Sequence, residues 1–206
     1  MKLSEELQSF LENPNIKNTL QNLLDTLESK SFGLVLFVLM LPAALPIPTF
    51  GITHILEAVA VLVALQMILL RPTIWLPKKV LTTEVAWMSD IKFVTGLKAF
   101  VQKIEKFAKP RFSFLVLSKG GKILTGIVSL IFAVIAFIAP LATGLDTLPA
   151  IGVVLIGLAL VFEDGVLWIL GILVGIIGMA LVIASYYFGF QIFGQLWQQL
   201  MRLITI

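Results

Sequence analysis

Five apolar runs, residues 33–47, 52–70, 123–141, 148–162 and 166–188, constrain this chain more than any other feature. Runs of this purity suit hydrocarbon, where each backbone amide and carbonyl must be bonded inside the protein, so helices are the expected element. The runs are interrupted in a particular way. "LPAALPIPTFG" at 41–51 joins the first two, and "APLATGLDTLPA" at 139–150 joins the third and fourth. Proline removes a backbone donor and clashes with the preceding turn, which makes Pro42, Pro46, Pro48 and Gly51, and then Pro140, Gly144 and Pro149, the expected helix breaks. A limb of fifteen residues reaches only about 22 Å at 1.5 Å per residue, against a hydrocarbon core of about 30 Å. Each broken pair is therefore expected to be a re-entrant or shallow helical hairpin that returns to the side it entered from. Only the last, long run is then required to cross.

Composition agrees with an all-α integral membrane protein. Apolar residues are 59% of the chain, charged residues 13%, and the mean hydropathy is +1.03, against roughly 45–50% and 25% in soluble domains. The opening residues lack the pattern of a cleaved signal peptide, so the first apolar run is expected to direct insertion. The absence of cysteine excludes disulfides, thiolate metal sites and cysteine nucleophiles.

Charge supplies an orientation. Eleven of the fifteen basic residues fall between Arg71 and Lys122, and only Arg202 follows them. The positive-inside rule makes this middle segment cytoplasmic, and two preceding limbs return the amino terminus to the same side. With a single crossing at the end, the carboxyl terminus is expected outside. The chain then divides into an amphipathic cytoplasmic arm (1–31), a first hairpin (32–77), a basic amphipathic linker helix (78–122), a second hairpin with the long transmembrane helix (123–190), and an amphipathic tail (191–206). In the linker, Val94, Leu97, Val101, Ile104 and Ala108 form one stripe with five lysines largely off it, which fits a helix lying among lipid headgroups. Nucleic acid is the rival partner for any basic patch, and beside membrane segments it is not expected.

The two hairpins look like copies. A gapless shift of 93 residues places Gly33 on Gly126, Gly51 on Gly144, Trp75 on Trp168 and Arg71 on Asp164. Internal repeats with interrupted helices are a design of transporters, whose breaks lie near the substrate site. Here both copies would enter from the cytoplasm, a parallel duplication.

Taken together, "LPAALPIPTFGIT", the following helix with Gln66, "LRPTIWLPKKV", "KPRF" at 109–112, "APLATGLDTLPA" and "EDGVLWILGILVG" at 163–175 resemble the ExoD family of bacterial membrane proteins, named for exopolysaccharide synthesis. The resemblance covers roughly residues 5–190. Three positions depart from the family pattern: Leu70 stands where a glycine is usual, Asp146 where an asparagine is, and Glu163 where an arginine is. The resemblance implies an inner-membrane protein with a role in producing or exporting surface polysaccharide, and partners among polysaccharide-synthesis proteins beside the membrane lipids. A homo-oligomer is left open.

Ionisable groups inside membrane segments are costly and are functional candidates by default. His54 and Glu57, three apart, share a helix face just after the first break. They suit either a proton or cation site with carbonyls freed by Pro46 and Pro48, or a hydrogen-bonded pair at the water edge. Arg71, Glu163 and Asp164 all end the second limb of their hairpins, and Arg71 pairing with Asp164 would tie the hairpins together; a transport gate is the alternative. Trp75 and Trp168 are expected at the interface, Gln66 is expected to bond a neighbouring helix, and Gly171 and Gly175 have close-packing spacing. No cofactor-binding loop or metal-ligand cluster is legible, and an enzyme would have to use Glu57, Asp146, Glu163 or Asp164 as its acid-base group. Three readings follow: an accessory or assembly protein of polysaccharide production, a small transporter or channel for protons, cations or a lipid-linked solute, and, least favoured, a membrane enzyme.

Overall fold

The computed structural model describes residues 30–45, 52–75, 108–140 and 143–204, with side chains omitted for 52 and 190–204. The amino-terminal arm to residue 29, the segment 76–107 that holds most of the basic linker, and Pro46, Pro48 and Gly51 lie outside the described residues. Six helices and no strand occur among the described residues: α1 (Ser31–Ala44), α2 (Ile52–Ile68), α3 (Phe114–Leu117), α4 (Lys119–Ile138), α5 (Thr147–Phe162) and α6 (Gly165–Ile204). Apart from the short α3, they follow the apolar runs closely.

The breaks behave unequally. Pro42 lies inside α1, which continues to Ala44. In the last turn a proline forfeits one hydrogen bond only, to residue 38, and Val38 lies on the exposed side of the helix. Pro149 does not break a helix either; it sits in the first turn of α5, where a missing amide is tolerated. The turn between α4 and α5 is the real break. Pro140 follows the end of α4, its carbonyl accepts from the Thr143 amide and hydroxyl (3.4 and 2.6 Å), and Gly144 takes φ +70°. The hydrogen bonds that a break releases are thus re-formed locally.

Helix ends are closed by similar devices. Ser118 caps α4, its hydroxyl accepting from the Gly121 amide at 2.9 Å. At the end of α2, Leu70 is left-handed (φ 50°) and the Arg71 amide donates to the Gln66 carbonyl at 3.2 Å. At the end of α5, Glu163 is left-handed (φ 56°) and the Asp164 amide donates to the Ala159 carbonyl at 3.0 Å. These are Schellman-type ends, whose left-handed residue is ordinarily glycine. By that requirement a glycine would suit position 70 better than the leucine that occupies it.

Packing follows the smallest residues. α1 lies against α5, α2 against α4, and α5 against α6. A Cβ placed on Gly33 would fall 2.6 Å from the Gly157 carbonyl oxygen, and one on Gly126 would lie 3.2 Å from the Ala64 carbonyl oxygen. Gly152 meets α6 at Gly171 and Gly175, so the spacing noted in the sequence is a packing seam between α5 and α6. The core between these seams holds Leu36, Met40, Val63, Val153 and Ile156, all fully buried.

The outside of the bundle is apolar as well. Leu62, Leu65, Ile131, Leu173, Ile177 and Leu181 are all exposed, a surface suited to lipid and costly in water. By length and composition two helices could cross a membrane, α4 and the Gly165–Gly189 portion of α6. The sequence had singled out only the second. α6 then continues without interruption to Ile204, past the expected boundary of the tail, and its 40 residues span about 60 Å.

Two substitutions probe this account in detergent-purified protein. Gly157→Leu, which drives a side chain into the Gly33 backbone, is expected to lower unfolding free energy by about 1–3 kcal/mol. Leu70→Gly relieves the left-handed strain and is expected to raise it by about 1 kcal/mol; thermal melts of both variants check the two signs.

Candidate functional site

The polar residues divide into two groups at opposite ends of the bundle. The first gathers near the α4–α5 turn. His54 and Glu57 sit on the first turns of α2, with His54 Nδ1 3.7 Å from Glu57 Oε2, an ion-pair distance too long for a hydrogen bond. Glu57 is fully buried, and neither carboxylate oxygen has a hydrogen-bond partner. Both imidazole nitrogens of His54 are likewise buried without partners, although the ring reaches the surface with one-fifth of its area. Its ring lies 6.0 Å from that of Phe137 near the end of α4.

Asp146 joins this group from the other side of the turn. It occupies the N-cap position of α5 without making a side-chain cap hydrogen bond, and it lies within electrostatic reach of Glu57. α2 and α4 run antiparallel, with His54 beside Phe137 and Ala64 beside Gly126. That register puts Ser129 about one helical turn farther along the same seam than Glu57. Ser129 is fully buried and its hydroxyl also lacks a partner. Unpaired buried polar atoms are uncommon and each calls for a physical reason.

The second group, at the opposite end, is saturated. Asp164 is 2% exposed; its carboxylate accepts from the Val166 amide at 2.9 Å, capping α6, and from the Lys109 amide at 3.1 Å. The Gly165 amide donates to the Arg111 carbonyl at 2.6 Å, and a Cβ on Gly165 would strike the Arg111 and Phe112 backbone. "KPRF" and "EDG" are thereby clasped together. Arg71 is exposed and forms no ion pair with Asp164, so the expected Arg–carboxylate tie is replaced by backbone amides. Glu163 serves as the left-handed residue that ends α5. Gln66 does not reach a neighbouring helix. Its amide is paired both ways with the Trp75 backbone, accepting from Trp75 N at 2.6 Å and donating to Trp75 O at 3.2 Å.

The two tryptophans part company. Trp75 is 61% exposed, whereas Trp168 is buried and donates through Nε1 to the Thr125 hydroxyl at 2.9 Å. Thr125 in turn donates to the Gly121 carbonyl at 2.7 Å. Sequence reasoning passed over Thr125 and Ser129. Their spacing of four on an apolar helix, a polar stripe with helical period, was the available signal.

Helices long and apolar enough to span a bilayer, wrapped in outward-facing Leu and Ile, make this an all-helical membrane protein. Its lineage is equally plain: the chain belongs to the ExoD family, described as "Exopolysaccharide synthesis, ExoD", which it matches over residues 3–184. It is 33% identical to an uncharacterized protein, slr1875, of Synechocystis sp., over 91% of this chain and 89% of that one. It is 29% identical to Protein ExoD of Rhizobium meliloti, over 72% of this chain and 62% of that protein. No solved structure matches the chain.

The clasps make concrete demands. Asp164→Ala is expected to cost about 1–2 kcal/mol of stability through loss of the α6 cap, measured by thermal unfolding. Gln66→Ala is expected to speed hydrogen exchange at the Trp75 amide by about fivefold, matching the roughly 1 kcal/mol of a hydrogen bond.

Proposed function

We propose that the protein is a multi-pass component of the bacterial inner membrane that assists exopolysaccharide synthesis or export in an accessory or assembly role. Family membership carries this reading, and the name of the Rhizobium meliloti relative agrees with it. The accessory role draws support from how the polar groups are used, since Gln66 and Asp164 are consumed in holding backbone. In this reading the amino terminus and the basic middle segment are cytoplasmic.

The frame is two hairpins, α1–α2 and α4–α5, related by duplication. Several observations support that relation beyond the sequence shift. The left-handed residues Leu70 and Glu163 stand 93 apart, as do the amide donors Arg71 and Asp164 and their acceptors Gln66 and Ala159. Gly33 meets Gly157 and Gly126 meets Ala64, and each contact becomes the other when 93 is added to one partner and taken from its mate. Matched positions such as Leu36 and Ser129, Met40 and Ala133, and Val63 and Ile156 are buried alike. The hairpins pack as exchange partners, first limb of one against second limb of the other.

Deleting the gene in a host that makes exopolysaccharide should reduce the polymer severalfold, with recovery on re-expression; unchanged polymer would argue against the role. Single cysteines at Thr49 and Thr143, in a chain that has none of its own, test the hairpin depth. Labelling from outside intact cells would place the turns at the far surface and make the hairpins full spans, whereas protection from both sides fits re-entrant hairpins.

A second reading, a transporter or channel for protons or cations, is favoured by one observation, the fully buried and unpartnered Glu57 carboxylate beside His54. Reconstituted vesicles should then carry a flux that Glu57→Gln abolishes. Equal leak through empty and protein-containing vesicles would sink it.

A further inference from the structure

A buried carboxylate with no donor, an imidazole with no partner and a second carboxylate nearby form an arrangement that a structural role does not account for. The counterpart of Glu57 93 residues on is Ala150, equally buried and without a charge. The other members have uncharged counterparts too, Thr147 for His54 and Thr53 for Asp146. The ionisable set therefore belongs to one seam of the bundle and is assembled from both hairpins.

We propose that His54, Glu57 and Asp146 form a proton-binding site across the two hairpins, in which one proton is exchanged between the Glu57 carboxyl group and the His54 imidazole. The inference deepens the transport reading above and rests on it only for net movement of the proton.

The chemistry balances without a co-reactant: a neutral Glu57 acid and neutral imidazole become a carboxylate and an imidazolium, and the proton returns by the reverse step. The 3.7 Å separation leaves a gap that a small side-chain movement or one bridging water closes. The His54 side chain is one-fifth exposed while Glu57 is fully buried, so His54 is the outer member of the pair. Ser129, one turn farther along the seam with an unpartnered hydroxyl, is the next polar foothold inward.

A proton fits this site better than a metal ion. Among the described residues no group of three or more His, Asp or Glu side chains is placed to hold a metal. Among the described residues, the neighbouring elements add no further charge to the seam. α1 has no ionisable side chain, and the loop residues 46–51 and 141–142 have none by sequence. Lys119 and Lys122 are at the opposite end of α4, and the Tyr186 hydroxyl of α6 donates to the Ile138 carbonyl.

The chain contains a single histidine, so the full-length protein labelled with 15N-histidine reports one imidazole. In detergent micelles its pH titration curve is expected to move by about one pH unit or more in Glu57→Gln, the size of a direct proton-sharing partner. Asp146→Asn, at a partly exposed position that tolerates change, should move the same curve by a smaller amount and stands in if Glu57→Gln fails to fold. Curves that superimpose on wild type would overturn the site. Replacing potassium by sodium should leave the wild-type curve in place; a sodium-dependent curve would assign the site to a metal cation and overturn the proton. Vesicles loaded with a pH-sensitive dye read movement separately. Coupled titration without flux upholds the site while dismissing transport, and uncoupled titration dismisses the site whatever the flux.

Discussion

Backbone approaching backbone at Gly33 and Gly157, and again at Gly126 and Ala64, is the contact on which the rest of the bundle depends. Within lipid there is little hydrophobic drive to bring helices together, because a leucine is as well solvated by acyl chains as by another helix. Close approach has to come from van der Waals contact over surfaces without side chains. The four limbs, α1, α2, α4 and α5, meet at such places, and α6 is added through a third seam at Gly152, Gly171 and Gly175. Large residues fill the space between the seams, as Met40 and Ile156 do, and point outward elsewhere. Removing one small residue therefore alters the spacing of two helices at once.

Much of this was legible from the sequence because lipid leaves so few choices. A run such as 148–162, with no charge and no internal proline beyond its first residues, has little alternative to becoming α5. The proline positions were less transparent, since the same residue ends α4 at Pro140, starts α5 at Pro149 and passes through α1 at Pro42. What differs is the place in the turn at which the missing amide falls, and that depends on helix phase, which a pattern of apolar residues barely records.

The candidate residues were found as types, and their roles came from geometry. Asp164 was chosen because a carboxylate among apolar residues invites a cation; amides of Lys109 and Val166 reach it first, and they satisfy it without the desolvation of a guanidinium. Gln66 was read as a bridge to another helix, yet the chain turning back after Leu70 brings Trp75 within reach of the same side chain. Trp168 had the composition of an interfacial anchor and the position of a core residue, because Thr125 lies opposite its indole nitrogen. His54 and Glu57 were paired by spacing alone, and spacing was enough since both sit on one helix. Asp146 was named as a candidate by type, but its electrostatic reach to Glu57 was not legible, because the two lie on segments far apart in sequence.

The clasps at Trp75 and Lys109 also hold two points of the chain that lie far apart in sequence. Gln66 fixes the backbone where the basic segment departs, and Asp164 fixes it where the chain returns. A stretch of chain whose two ends are already held has given up its closure entropy in advance, whatever the intervening residues do. The anchors on either side are a glutamine side chain at the end of α2 and an aspartate cap at the start of α6.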